Sequence, residues 1–138
     1  MKISPLLLNP DDFRLGYHPI DEQHAQIIEC INELYLARFS GELNIDHVVA
    51  KLDDHVDNHL KFEEEMMRSC NYPWMLEHQL DHQKLIIASK DLIARARGGE
   101  DVSAELQDFL FSMLRSHFNS IDRKAVTYYL NFIHKIRS

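Results

Sequence analysis

The stretch VDNHLKFEEEMM, residues 56–67, sets His59 and Glu63 four positions apart between the apolar residues Val56 and Met66. Side chains three or four positions apart lie on the same face of an α-helix. The stretch therefore predicts a helix whose apolar face also carries an imidazole and a carboxylate. Polar groups on a buried face are costly unless they have partners, so this segment predicts both a helical core and a site within it.

Three other segments of the chain repeat this pattern. His24 lies in the apolar stripe of the segment before this one. His78 and His82 are four positions apart in the segment after it, and His117 lies three positions after Leu114 in the last segment. Every predicted helix therefore points a histidine or a carboxylate into the interior of the molecule.

The helical segments are bounded by residue types that start and stop helices, such as Pro, Gly and Asn. They are predicted to run from about Pro19 to Phe39, from after Asn44 to about Ser69, from near Pro73 to Gly98-Gly99, and from near Ser103 towards the C-terminus. Short connections make successive helices antiparallel. We therefore expect an all-α, up-down-up-down four-helix bundle, with residues 1–18 as an irregular N-terminal arm and residues 19–138 as a single domain.

The composition of the 138-residue chain limits the kinds of molecule that the protein is expected to bind. Its formal net charge of -7 gives no reason to expect nucleic acid or an anionic membrane. No apolar stretch approaches the roughly 20 residues that span a bilayer, and the N-terminus has no signal-peptide pattern. Cys30 and Cys70 match no metal or redox spacing. We expect a cytoplasmic protein with reduced thiols.

The interior histidines have two interpretations. Core histidines held by hydrogen bonds would explain one such residue, but every unpartnered buried polar group costs roughly 1–3 kcal/mol. A metal site would satisfy five imidazoles and Glu63 together, and this set exceeds what one ion can use. No cysteine belongs to the set, and the H-E-x-x-H and Glu-x-x-His motifs of zinc peptidases and ferritin-like proteins are absent. Imidazole with carboxylate suits a pair of iron ions.

The ordered set of motifs resembles the hemerythrin family in its bacterial branch. The resemblance runs from about Phe13 to Tyr129 and is carried by DEQH (residues 21–24), His59-x-x-x-Glu63-Glu64, His78-x-x-x-His82 and His117-x-x-x-x-Asp122. It implies a four-helix bundle that holds two iron ions with a bridging oxo or hydroxo group. The metal ligands that it implies are His24, His59, Glu63, His78, His82, His117 and Asp122.

The resemblance also implies that the two irons differ. Glu63 and Asp122 would bridge them, three histidines would complete one iron, and His24 with His59 would leave the other with a position open for dioxygen. Reversible binding needs a dry pocket at that position. The residues predicted by spacing to line the pocket, with Leu114 over the open position, are Ile27, Leu60, Met113, Leu114 and Phe118.

The spacing of His117 and Asp122 does not fit a regular helix. They are five positions apart, and five residues of a straight α-helix turn about 500°, which places the carboxylate well round from the imidazole. Two explanations remain open. Either the helix is locally widened into a π-like turn, or the carboxylate reaches sideways into the site.

The other polar residues are predicted to lie outside the site. His55, one turn before His59, is expected to be solvated, with a partner behind a metal ligand as the alternative. A solvated face or ion pairing is expected for Glu64 and Glu65. Phe13 and Ala125 stand where many relatives carry Trp and Tyr, and neither is expected to touch a ligand. The histidines left outside the ligand set are His18, His47, His55 and His134.

The function that the resemblance implies is non-enzymatic binding of dioxygen for storage or carriage. The alternative is an oxygen or redox sensor whose C-terminal output domain, such as a cyclase or a chemoreceptor, responds to the site. A homodimer, and reduction of peroxide or nitric oxide at the irons, are further hypotheses. The residues themselves do not separate binding from signalling.

Overall fold

The computed structural model describes residues 7–41 and 45–137, apart from the side chains of residues 38 and 39. Within these ranges the protein is all-α, with no strand, and the predicted fold class is confirmed. The first six residues of the predicted arm and the predicted N-cap Asn44 lie outside the described ranges. The four long helices are α1 (His18–Ser40), α2 (residues 45–69), α3 (Met75–Arg97) and α4 (residues 103–137).

The second and fourth helices each contain a widened π-helical turn. In α2 the turn His55–His59 separates the α-helical segments Ile45–Asp54 and Leu60–Ser69. In α4 the turn Met113–Asp122 separates Ser103–Ser112 from Arg123–Arg137. A π-turn inserts residues without ending the helix, and such turns are frequent at functional sites.

The ends of the helices follow from local chemistry. Pro19 lies in the first turn of α1, where a missing N–H costs nothing, and Gly41 ends the helix in the left-handed conformation with φ 71°. The Gly41 N–H donates to the Ala37 carbonyl at 3.0 Å. Short connections at residues 70–74 and 98–102 then make successive helices antiparallel. Among the described residues, none of the helices has the length and apolarity needed to cross a bilayer.

The apolar interior falls into two clusters, one towards each end of the bundle. Ile20 belongs to one cluster and Ile27 to the other, and His24 lies between them on α1. Phe13 packs against the cluster that contains Ile27, and Ala125 is buried in the cluster that contains Ile20. The polar interior residues therefore occupy a layer of the bundle between two apolar ends, away from water.

Candidate metal centre

The polar layer brings together side chains from all four helices. His24 comes from α1, and α2 supplies the pair His59 and Glu63. Each of the predicted ligands is at most 3% exposed to solvent. The structure thus places within one buried layer the complete predicted set, His24, His59, Glu63, His78, His82, His117 and Asp122.

The two carboxylates lie in the middle of this layer, and the two oxygens of each carboxylate contact histidines on opposite sides of it. Glu63 directs Oε2 to His59 Nε2 at 2.7 Å and Oε1 to His82 Nε2 at 2.9 Å. Asp122 directs Oδ2 to His24 Nε2 at 2.8 Å and Oδ1 to His117 Nε2 at 2.9 Å. Each carboxylate therefore has one oxygen on each side, which is the arrangement of a bridging ligand.

Two groups of potential ligand atoms result. One group joins the two carboxylates to His78, His82 and His117, and the other joins them to His24 and His59. Within each group the atoms lie within 4.8 Å of one another. Octahedral sites with bonds of about 2.1 Å have adjacent ligand atoms about 3.0 Å apart and opposite ones about 4.2 Å apart. Both groups have the dimensions of a metal site.

Unsatisfied atoms provide an independent test of whether metal fits here. His59 Nε2 lies 2.7 Å from Glu63 Oε2, yet neither atom has a hydrogen bond to any described residue. The same is true of the Nε2 atoms of His78 and His117 and of Asp122 Oδ1. Buried donors and acceptors are rarely left this way. Their short contacts match edges of a coordination polyhedron, so the residues fit metal ions.

The charges of the layer support the same conclusion. Burial acts to raise the pKa of Glu63, but the facing imidazoles, His59 first, outweigh it and hold that pKa well below its ordinary value. Burial and Glu63 act to raise the pKa of Asp122, and His117 with His24 nevertheless lowers it to about 2. Both carboxylates are therefore ionised at neutral pH, and ionised carboxylates are the form that binds a metal.

The pKa values of three imidazoles are raised, whereas those of the two carboxylates are lowered. Burial acts to lower the pKa of His78, but Asp122 and Glu63 outweigh it and raise that pKa to about 8. The pKa values of His24 and His117 are raised for the same reason, again against the effect of burial. Without metal these imidazoles therefore bind protons more tightly than a free imidazole does, and a binding cation must displace any proton on a ligand atom.

Outer partners orient three of the imidazoles through their second ring nitrogens. His82 Nδ1 donates to Glu64 Oε2 at 2.9 Å, and His117 Nδ1 donates to Asp81 Oδ2 at 2.5 Å. His59 Nδ1 bonds to the side-chain oxygen of Gln23. Each bond leaves Nε2 directed at the centre and fixes the ring orientation, the usual role of residues behind a metal ligand.

These outer partners were not identified by the sequence analysis. Of the two expectations for Glu64, a solvated face or ion pairing, ion pairing is the one observed, because its side chain is only 27% exposed and accepts from His82 Nδ1 at 2.9 Å. Glu64 follows Glu63 directly, and Asp81 precedes His82 directly. Chain adjacency to a ligand was the available signal, but it does not reveal which helix faces a given side chain.

The first expectation for His55, a solvated side chain, is wrong. The residue is 4% exposed, and its ring stacks on that of His59 with centroids 4.3 Å apart. Burial, with His59 and His24 nearby, holds the pKa of His55 well below its ordinary value. The π-turn His55–His59 places both imidazoles in the interior.

The remaining histidines outside the predicted ligand set lie on the surface. His18 has an 80% exposed side chain, 3.6 Å from Glu22. His47 has a 47% exposed side chain, 3.5 Å from Glu33. His134 is exposed as well.

The apolar residues predicted to line the oxygen pocket are buried. Phe118 stacks on the His24 ring with centroids 3.8 Å apart. Ile27, His55 and His59 also line a cavity of about 160 Å³ between α1 and α2, whose other lining residues are polar. The predicted pocket residues, each at most 2% exposed, are Ile27, Leu60, Met113, Leu114 and Phe118.

Comparison with known proteins identifies the family. The model of the hemerythrin HHE cation binding domain matches residues 15–129. A bacteriohemerythrin of Stenotrophomonas maltophilia is 34% identical over 119 residues, which cover 86% of this chain and 78% of the relative. One of Pseudomonas aeruginosa is 34% identical over 113 residues, covering 81% and 74%. One of Clostridium acetobutylicum is 23% identical over 124 residues, covering 84% and 95%. The family resemblance is confirmed, and the chain belongs to the hemerythrin family.

Proposed function

We propose that this protein binds dioxygen reversibly at a pair of iron ions held by the buried layer. Membership of the hemerythrin family implies iron, and the cluster of histidines and carboxylates could hold it. The observation that supports dioxygen binding is that the two groups of ligand atoms contain different numbers of imidazoles. One group contains three imidazoles and the other contains two, while both share Glu63 and Asp122.

The difference of one imidazole means that the chain would fill fewer coordination positions on one side than on the other. Three imidazoles and two carboxylate oxygens supply five positions, whereas two imidazoles and two carboxylate oxygens supply four. A bridging oxo or hydroxo group, once the irons are bound, would add one position to each side. The side of His24 and His59 then keeps one position for an exogenous ligand in a six-coordinate site. The iron pair, when bound, supplies that position and the two electrons that dioxygen takes up and returns.

The residues of the chain make this exchange reversible by excluding water and protons. The pocket residues Leu60, Met113 and Leu114 are each at most 2% exposed. Phe118 covers one face of His24. A closed, apolar environment prevents side reactions of a bound ligand, including proton leakage. We assign Leu114 to the position over the open coordination site.

Metal analysis combined with optical spectra tests the proposal. Protein produced with ample iron should contain about two irons per chain, and the reduced protein should gain charge-transfer bands in air and lose them when oxygen is removed. A His59→Ala variant should lose the bands, whereas His47→Ala, an exposed histidine on the same helix, should keep them. Bound zinc alone, or oxidation in air without any oxygenated form that oxygen removal reverses, would refute reversible dioxygen binding.

The same experiment distinguishes storage from sensing. Slow autoxidation of the oxygenated form supports storage or carriage, and fast autoxidation supports an oxygen-sensing or redox-signalling role. An output domain, a homodimer, a cytoplasmic location and the absence of enzymatic activity stay predictions.

A further inference from the structure

A closed set of four rings surrounds the two-histidine side of the centre. His24 stacks on Phe118 at 3.8 Å, and Phe118 lies 5.4 Å from the ring of His55. His55 stacks on His59 at 4.3 Å, and His59 returns to His24 at 5.0 Å, all between ring centroids. We call His24, Phe118, His55 and His59 the four-ring cluster. Two of its members are predicted ligands and Phe118 is a predicted pocket residue, so His55 is the member without an assigned role.

The polar tip of His55 has no partner in the described part of the chain. Its Nε2 atom is buried and takes part in no hydrogen bond, although its ring lies against His59 and Phe118. Leaving a buried polar atom unsatisfied is costly, and an apolar residue of similar size would avoid that cost. The position of His55 in the four-ring cluster indicates where a partner would have to be.

We propose that His55 donates a hydrogen bond to a small exogenous ligand on the His24–His59 side, of the class of dioxygen or a small anion such as azide. This inference rests on the proposed function, because it requires iron in the centre and a ligand beside these two histidines. An imidazole carries a ring N–H, and dioxygen becomes a better acceptor as it takes up electron density. His55 is thus a positioning residue that stabilises the bound ligand beside the ring of Phe118.

Azide added to oxidised, iron-loaded protein provides a direct probe. Its antisymmetric stretch, measured by infrared spectroscopy, should shift between H₂O and D₂O, because the donated hydrogen exchanges with solvent. His55→Leu should abolish the isotope shift, and His55→Gln, which keeps an N–H donor, should restore part of it. No isotope shift in the unaltered protein would overturn the inference without any variant.

Dioxygen dissociation provides the second measurement. His55→Leu should release dioxygen about tenfold faster, the change expected on losing one hydrogen bond, with iron content and helical circular dichroism unchanged. Ser89→Ala is the matched control, because Ser89 Oγ on α3 is also buried without a hydrogen bond to any described residue. Equal rates in the unaltered protein and His55→Leu would overturn the role of His55. Failure of the unaltered protein to bind dioxygen would refute the proposed function instead, and azide would still test His55.

Discussion

Asp122 Oδ1 lies 2.9 Å from His117 Nε2 although the two residues are five positions apart on one helix. The π-turn Met113–Asp122 explains this contact, because a π-helix pairs residue i with residue i+5. Of the two explanations left open by the sequence, local widening of the helix is the one observed. The widened turn lets one helix present an imidazole and a carboxylate to the same centre.

Removing the negative charge of Asp122 should disrupt metal binding. Asp122→Asn keeps the shape of the side chain, but its amide nitrogen is a poor ligand, so the side chain no longer bridges the two groups. We expect iron content to fall from about two per chain to one or less, measured by elemental analysis. Asp108→Asn, an exposed aspartate on the same helix, should leave the iron content unchanged. Full iron loading of Asp122→Asn would contradict the bridging role.

The outer carboxylates should strengthen metal binding. Glu64→Gln weakens the acceptor for His82 Nδ1, and loss of such a partner typically costs 10–100-fold in metal affinity. Competition with a chelator should therefore strip iron from Glu64→Gln sooner than from the unaltered protein. Glu65→Gln changes the next residue, which is exposed, and should behave like the unaltered protein. Identical behaviour of the two variants would argue against this role of Glu64.

The metal-free protein should lose stability as pH rises through neutrality. The folded state raises the pKa of His78 from 6.5 to about 8, against the effect of burial, through Asp122 and Glu63. A raised folded-state pKa contributes stability that is complete below pH 6.5 and is lost as pH rises through 8. His78 alone contributes about 2 kcal/mol to this loss by pH 9.

Urea unfolding at several pH values measures this loss. The lowered pKa of His55 affects stability only below its ordinary value of 6.5, so it does not interfere between pH 6.5 and 8. Iron-loaded protein should not show the loss, because a metal replaces the protons on these imidazoles. A metal-free unfolding free energy that is flat across this range would contradict the ionised state inferred for the layer.

Shortening Leu114 should open the pocket to water. Leu114→Ala removes a fully buried side chain beside the predicted open position, so the oxygenated protein should autoxidise faster. The cavity should also destabilise the protein by about 2–5 kcal/mol. Leu110→Ala, one turn earlier in the same apolar cluster, should cost similar stability without faster autoxidation. If the oxygenated form of Leu114→Ala decayed at the rate of the unaltered protein, the assignment of Leu114 to the pocket would be wrong.

The local pattern of the chain was sufficient to predict the helices and the composition of the buried layer. Histidines recurring three or four positions from apolar residues mark the inner face of each helix, because this periodicity is a local property of an α-helix. His59 with Glu63, and His78 with His82, are such pairs, and the structure places them in one layer. Their ordered spacing also carried the family resemblance.

Only the tertiary structure decided which side chains support that layer and how they face it. The burial of His55, the bond from His82 to Glu64 and the contact of His117 with Asp122 depend on two widened turns and on the helix lying opposite. A widened turn and a cross-helix contact leave no regular period in the sequence, since packing against other helices stabilises them. The sequence therefore determined which groups line the centre, and packing decided their orientation and left His55 Nε2 without a hydrogen bond to any described residue.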